Sequence, residues 1–332
     1  MISNKRKVIS FVVTAILLVV MFFVAACTGS LKVSLADVYR GLFVEYSETV
    51  SIIYDLRFPR ILIAILAGGA TAVSGVMLQA VMKNPLADPG IIGVSSGASL
   101  VAVLVVVFFP AMYFFVPMFA FIGGIVAFGL VYALSYKDGL SPVRIILVGV
   151  ALNAFFTGLM SAFNAGTGSQ ISSVTSIVSS NISMKTWDDF NMLAIYVAVG
   201  FVLSMLVSES CNLLALDDKT IRSLGVNVDK VRLLVSLVGV MLASVSTAIV
   251  GPISFLGLIV PHIARILVGS NHKVLLPYAM VLGALVLLVA DTLGRVVVAP
   301  YEISSTVVMS VIGGPFFIAL LRRQGDLYAK SR

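Results

Sequence analysis

The chain has 332 residues, 60% of them hydrophobic and only 11% charged, and its mean hydropathy is +1.11. Soluble domains carry about a quarter of their residues as charged side chains, so this composition excludes a soluble enzyme or binding module and points to a protein of the lipid bilayer. The net charge of +7 bears on membrane orientation, not on nucleic-acid binding.

A helix needs about 20 predominantly apolar residues to cross the hydrocarbon core. In chain order the sequence predicts ten such spans, at 8–28, 61–82, 92–109, 115–136, 143–163, 190–208, 231–250, 253–268, 274–298 and 305–321. The eighth is short, and the ninth carries Asp291 and Arg295. Pro110 and Pro117 separate spans three and four, and Gly251-Pro252 separates seven and eight, where helices should break. Val24-Ala25-Ala26-Cys27 has the look of a lipoprotein signal, but the apolar run continues to Leu31 and further spans follow, so it reads as the first transmembrane helix. Two cysteines, Cys27 and Cys211, make no disulfide framework.

With Lys5, Arg6 and Lys7 placed in the cytoplasm and the sides alternated, only Lys32, Arg40, Arg57, Arg60, Lys185 and Arg295 of the 22 Lys and Arg fall outside. That bias is the one the positive-inside rule expects, and an even number of spans puts both termini in the cytoplasm. The reading is of one membrane domain, 1–332, with its main cytoplasmic loop at about 209–232 and polar outer stretches at 30–60 (Asp37, Glu45, Glu48, Asp55) and 164–189.

The sequence contains no GxxxxGK[ST] phosphate loop, HExxH or nucleophile elbow. A transporter of this kind is driven by an ion gradient or by a separate ATPase. Ion-coupled carriers place carboxylates or broken helices at the bilayer midplane. Here Asp291 is the one acidic residue within a span, and it lies toward the outer end.

The polar punctuation of the spans carries the most information. Arg57-Phe58-Pro59-Arg60 opens span two, with Gly68-Gly69 and Gln79 within it. Asn84-Pro85-Leu86-Ala87-Asp88-Pro89 closes it, and Gly93-Val94-Ser95-Ser96-Gly97-Ala98 opens span three. Leu213 to Val226 contains Leu216-Asp217-Asp218, where the carboxylates suit the start of a short helix, and Gly225, which suits its end. Gly251-Pro252-Ile253-Ser254-Phe255-Leu256-Gly257-Leu258-Ile259-Val260-Pro261-His262-Ile263-Ala264-Arg265 opens span eight. A lone His beside a Pro in a helical bundle reads as a hydrogen-bonded structural residue, and no metal-ligand set is expected. Asp291 and Arg295 lie four apart on one helix face, which fits an internal salt bridge or a functional site. Helix-end arginines such as Arg57, Arg60 and Arg295 also commonly snorkel to headgroups. Glu302-Ile303 and Gly313-Gly314-Pro315-Phe316-Phe317 mark span ten.

Together these stretches resemble the permease subunits of the iron-siderophore, haem and vitamin B12 (FecCD-type) ABC importers, over about residues 50–320. The sequence departs from that family where Ser304-Ser305-Thr306 follows Glu-Ile in place of Val-Gly-Ile, and where Ile177 to Ile182 lacks a Trp and a Gly. The resemblance implies an all-α polytopic protein of about ten transmembrane helices, the type II ABC importer permease fold. It implies docking of an extracytoplasmic substrate-binding (lipo)protein on Arg57, Arg60 and Arg295. It implies coupling to the ATPase through Leu216, Asp217, Asp218, Ile221, Leu224 and Gly225. It implies a translocation path at a subunit interface built mainly from spans five and ten with help from three and eight, with Asn153, Met160, Asn164, Ser304, Gly313 and Gly314 facing it and glycines 149, 158, 166, 313 and 314 allowing close approach. Asn84, Pro85, Pro261, His262 and Arg265 are structural.

The implied partners are a second permease subunit, identical or closely related, two ATPase subunits and membrane lipid, with no nucleic acid. No cofactor is expected on this chain, ATP and Mg²⁺ being held by the ATPase; it is a transporter subunit, not an enzyme. It sits in the cell membrane. The run Ser183-Met184-Lys185-Thr186-Trp187 and the Leu-Asp-Asp loop look most like the haem-iron permeases of Gram-positive bacteria, so the cargo implied is an iron chelate, haem or a ferric siderophore. The alternatives are a cobalamin permease of the same fold or, more remotely, an ion-coupled carrier.

Overall fold

The structure is a computed structural model that describes residues 2–28, 53–135, 142–166, 182–183, 185–299 and 301–330. Asp37, Glu45 and Glu48, Leu31 to Arg40, the Ile177 to Asn181 departure and Met184 lie outside the described residues, as does the side chain of Asn164.

All ten predicted spans correspond to helices. They are α1 (Asn4–Cys27), α2 (Phe58–Val81), α3 (Val94–Phe108), α4 (Val116–Ser135), α5 (Pro142–Gly166), α6 (Trp187–Leu206), α9 (Val228–Val250), α10 (Leu256–Val268), α11 (His272–Val296) and α12 (Ser305–Lys330). Between α6 and α9 come two short helices, α7 (Ser208–Leu214) and α8 (Asp218–Ser223). Among the described residues, seven helical segments are long and apolar enough to cross a membrane, while α3, α10 and the apolar part of α12 are shorter. Proline at the expected breaks explains part of this: Pro110 opens a 3₁₀ turn that separates α3 from α4, and α2 takes Pro59 in its first turn, where no amide donor is missed.

The helices form a buried hub and an outer layer. The hub is α2, which packs on α11, α9, α10 and α6. Backbone contact sets the crossings. Gly68 lies so close to the Gly283 carbonyl, and Gly75 to that of Gly257, that neither position has room for a Cβ. A polar thread runs through the hub. Thr71 and Ser246 share a hydrogen bond of 3.1 Å, and Gln79 donates to the Gly257 carbonyl at 3.1 Å while accepting from Arg265. Around the hub, α1, α5 and α12 turn apolar side chains outward, among them Leu147, Phe155, Val311 and Ile318. A lipid-facing or partner-facing surface has this composition, since a lipid tail is as apolar as leucine.

Between α9 and α10 the chain is non-helical from Gly251 to Phe255. Phe255 adopts φ +67°, a left-handed conformation that costs a non-glycine residue strain. Its Cβ and ring pack against Gly313 of α12, and its ring lies 6.2 Å from that of Phe317.

Candidate functional site

Three arginines flagged in the sequence meet at one end of the hub, and the structure gives each a partner. Arg57 Nη1 donates to the Ala26 carbonyl at 2.9 Å, and Arg295 Nη1 reaches the Ala25 and Thr28 carbonyls at 3.3 Å. Both therefore cap the C-terminus of α1, where the last carbonyls lack intrahelical partners and the helix dipole favours a cation. Arg60 makes a fork with Asp291: Nε and Nη2 donate to the carboxylate at 3.0–3.2 Å. Asp291 also pairs with Arg295 at 3.3 Å, the i,i+4 salt bridge open in the sequence. The remaining edge of Arg60, Nη1, donates to Glu302 at 2.8 Å and to Ser183 at 3.0 Å, and Ser183 donates to Glu302 at 2.6 Å.

The side chains of Arg60 and Asp291 are 8% and 2% exposed, that of Glu302 45%. Burial raises the Glu302 pKa, but the Ser183 hydroxyl and the Arg60 guanidinium override it and hold the carboxyl below its ordinary value. The arginines expected on the outer surface are thus largely buried. The physical reason is that a guanidinium at this depth is tolerated only when paired, and Asp291 and the end of α1 supply the pairs. A cavity of about 360 Å³ with a mixed wall adjoins the cluster, lined by the polar Arg60, Ser183, Asp291, Glu302, Ser304 and Ser305 and the apolar Ile182, Ile303 and Val307. Ser304, expected on the translocation path, belongs to this cluster.

At the other end of the hub stands the expected coupling helix. Asp217 is the N-cap of α8, though its side chain makes no capping bond. Asp218 is drawn instead into a bridge: it accepts from Lys83 at 2.8 Å and from Arg232 at 2.9 Å, and Lys83 also donates to the Leu216 carbonyl. Hydrogen bonding from Lys83 holds the Asp218 carboxyl below its ordinary value. Lys83 reaches α8 from just beyond α2, at φ +47°. Gly225 takes φ +76° directly after the helix, and Val226 N–H closes back on the Ile221 carbonyl at 3.3 Å. Ile221 is buried and anchors α8, whereas Leu216 and Leu224 are exposed. His272 opens α11, and its Nδ1 sits 2.8 Å from the Asn212 Oδ1 of α7.

The structural motifs lie between these ends. Asn84 Oδ1 accepts from Leu86 N–H at 2.9 Å and shapes the turn before Pro85 and Asp88. Arg265 binds Gln79, and His262 lies edge-on to Phe316 at 5.7 Å, linking α10 to α12; Pro261, the residue before His262, is buried. Sequence reasoning missed Asp88. Its Oδ1 accepts from Gly90 and Ile91 at 2.8 and 3.1 Å, while Oδ2 faces the backbone N–H groups of Phe255 and Gly257 without a hydrogen bond of regular geometry. Complete burial pushes its pKa up to about 6 against those amides. The signal was a carboxylate between two apolar helices, a residue type that is rarely buried without a task.

Of the residues expected on a path, Asn153 is half-buried on α5 and Gly314 meets nothing within 4 Å. Gly158 and Gly166 likewise face open space. Met160 is turned into the protomer at 2% exposure, Gly313 is filled by Phe255, and Gly149 packs on Ile92, so these do not share the open face. Among the described residues no group of His, Cys, Asp and Glu could hold a metal.

The chain is 42% identical, over 97% of both lengths, to the probable heme-iron transport system permease protein IsdF of Staphylococcus aureus (strain Newman). A solved structure described as an inward-facing conformation of a metal-chelate type ABC transporter superposes with a TM-score of 0.77 at 28% identity, covering 95% of this chain and 99% of that one. PsaBC from Streptococcus pneumoniae, at 16% identity and a TM-score of 0.56 over 86% of this chain and 95% of that one, shares the fold alone. The helix order is that of a type II ABC importer permease, and the protein is a multi-pass membrane transport subunit. The FecCD transport family matches residues 17–323, and with that match and the near full-length relative the chain belongs to the FecCD transport family.

Proposed function

We propose that this chain is the permease of an ATP-driven importer that carries an iron chelate, haem foremost, from an extracytoplasmic binding protein to the cytoplasm. The observation that carries this reading is the 42% identity along 97% of a relative named for heme-iron transport. The whole chain forms one membrane domain, with both termini and the 209–232 loop in the cytoplasm. The bridge that Asp218 makes to Lys83 and Arg232 supports α8 as the seat of the ATPase, with Leu216 and Leu224 as its exposed contacts. The outward apolar faces of α5 and α12, with Asn153, Gly158 and Gly314, support a second copy as partner and a path between the two subunits. The outer arginine cluster is the docking face for acidic side chains of the binding protein.

The test is uptake into right-side-out membrane vesicles or proteoliposomes holding the permease and its ATPase, with the binding protein outside and ATP inside, offered haem, ferric siderophores and cobalamin in turn. Haem uptake that requires ATP supports the reading. Uptake of a siderophore or cobalamin with haem excluded overturns the cargo, and uptake without the ATPase overturns the mechanism. A His262→Ala permease should leave the haem absorption band of the loaded complex unshifted, since the cargo is held by shape and apolar contact.

A further inference from the structure

The four charged groups that bind one another at the outer end are not equivalent. Asp291 takes the Nε and Nη2 edge of Arg60 from inside, at 2% exposure, and is itself held by Arg295. Glu302 takes the outward Nη1 corner, at 45% exposure, from a segment that is neither helix nor strand. Asp291 cannot leave without stranding two buried guanidinium groups. Glu302 can leave, since water can solvate it where it stands.

We infer that Glu302 is an internal stand-in for an acidic side chain of a docking protein, and that docking proceeds by exchange of one carboxylate for another on Arg60. The charge balance requires this. With Glu302 in place, Arg60 and Arg295 face Asp291 and Glu302. With Glu302 withdrawn, Asp291 alone among the described carboxylates faces both, with Arg57 adjacent on the end of α1. A neutral side chain would leave a buried cation half-paired, and only an incoming carboxylate restores the balance. The adjoining cavity, with Ser183, Ser304 and Ser305 on its wall, gives such a group room. Ser305 Oγ is buried there without a hydrogen-bond partner.

The exchange also has a mechanical side. Glu302 lies three residues before α12 and clasps the α11–α12 connection to α2 and to Ser183 ahead of α6. Its release leaves Ile303 N–H on the Gly294 carbonyl as the tether of that connection to α11. The inference rests on the docking reading and deepens it.

The experiment uses the full chain in lipid nanodiscs with two probes. The first is phenylglyoxal, an arginine reagent, with modification of Arg60 followed by peptide mass spectrometry. Glu302→Gln should speed modification of Arg60 several-fold, and Ser183→Ala should speed it less. Equal rates in wild type and Glu302→Gln overturn the inference. The second probe is a fluorescent tetraglutamate peptide at low salt, followed by anisotropy. Glu302→Gln should bind it about tenfold more tightly than wild type, a gain of about 1.4 kcal/mol, and Arg60→Gln added to Glu302→Gln should erase that gain. An affinity unchanged by Glu302→Gln but lost in Arg57→Gln and Arg295→Gln overturns the exchange and leaves the docking face standing. Binding to none of the chains overturns both.

Discussion

Removing the carboxylate of Asp291 is the sharpest probe of how this permease tolerates charge at the end of its hub. The side chain is 2% exposed, forks Arg60 at 3.0–3.2 Å and pairs with Arg295 at 3.3 Å. Asp291→Ala leaves two buried guanidinium groups with fewer partners, and removing one member of a buried ion pair costs about 3–5 kcal/mol. That is about two to four powers of ten in the unfolding equilibrium. Trp187, the single tryptophan of the chain, is a native reporter: its Nε1 donates to the Tyr54 carbonyl at 3.1 Å, close in sequence to Arg57 and Arg60. Its fluorescence during denaturant titration in mixed micelles reads the transition directly. Arg60→Gln, Asp291→Asn and their combination should show a coupling energy of about 0.5–3 kcal/mol. An Asp291→Ala chain as stable as wild type, with no coupling in the cycle, would mean that water or headgroups solvate these arginines, and the account of the cluster given above would be wrong.

Three other expectations follow from the geometry. Asp218→Lys should abolish substrate-stimulated ATP hydrolysis by the assembled importer while the permease still inserts, because it breaks the bridge to Lys83 and Arg232. Gly225→Ala should cost about 1–2 kcal/mol from its left-handed backbone alone, since a Cβ there meets nothing within 4 Å; turnover that survives both changes refutes the coupling role. Gly75→Ala should prevent accumulation of folded permease, judged by fluorescence-detected size exclusion, whereas Gly314→Ala should not, because only the first collides with backbone. Asp88, with a folded pKa of about 6 against an ordinary value of 3.8, favours the folded state most at pH below about 4. It loses that advantage as the pH rises through about 6, an effect of about 3 kcal/mol at 1.36 kcal/mol per pKa unit. Thermal stability measured from pH 4 to 7 should carry this slope in wild type and lose it in Asp88→Asn; identical profiles would refute the assignment.

Much of this was legible in the sequence because lipid imposes simple rules. Span length and proline placement located every long helix, and the Leu-Asp-Asp to Gly225 run located α8 with its stop. What stayed hidden depended on neighbours distant along the chain. Arg60 and Asp291 are 231 residues apart, and nothing in the run Arg57 to Arg60 announces that a carboxylate from α11 will cover it. The inward turn of Met160 was equally hidden, because α5 is apolar on all sides and periodicity does not say which face meets the bundle. Asp88 was visible as a letter but not as a task, since its partners at Phe255 and Gly257 depend on a non-helical segment between α9 and α10.

Helix α2 touches both ends of the machine. Arg60 lies in its first turn, inside the cluster it forms with Asp291 and Glu302, and Lys83 lies just past its last, on the bridge to α8. Its 24 residues make a rod about 36 Å long, pinned along its length by glycine crossings that leave no play. A rod held so tightly carries a signal by tilting or sliding as a whole rather than by bending. Its phase therefore matters as much as its length: one inserted residue would turn the two ends by about 100° relative to each other, so that when either was seated the other would point away from its partner. On the roles proposed for its two ends, news of a delivered cargo and news of bound nucleotide would travel along the same stiff member, in opposite directions, with no relay between them.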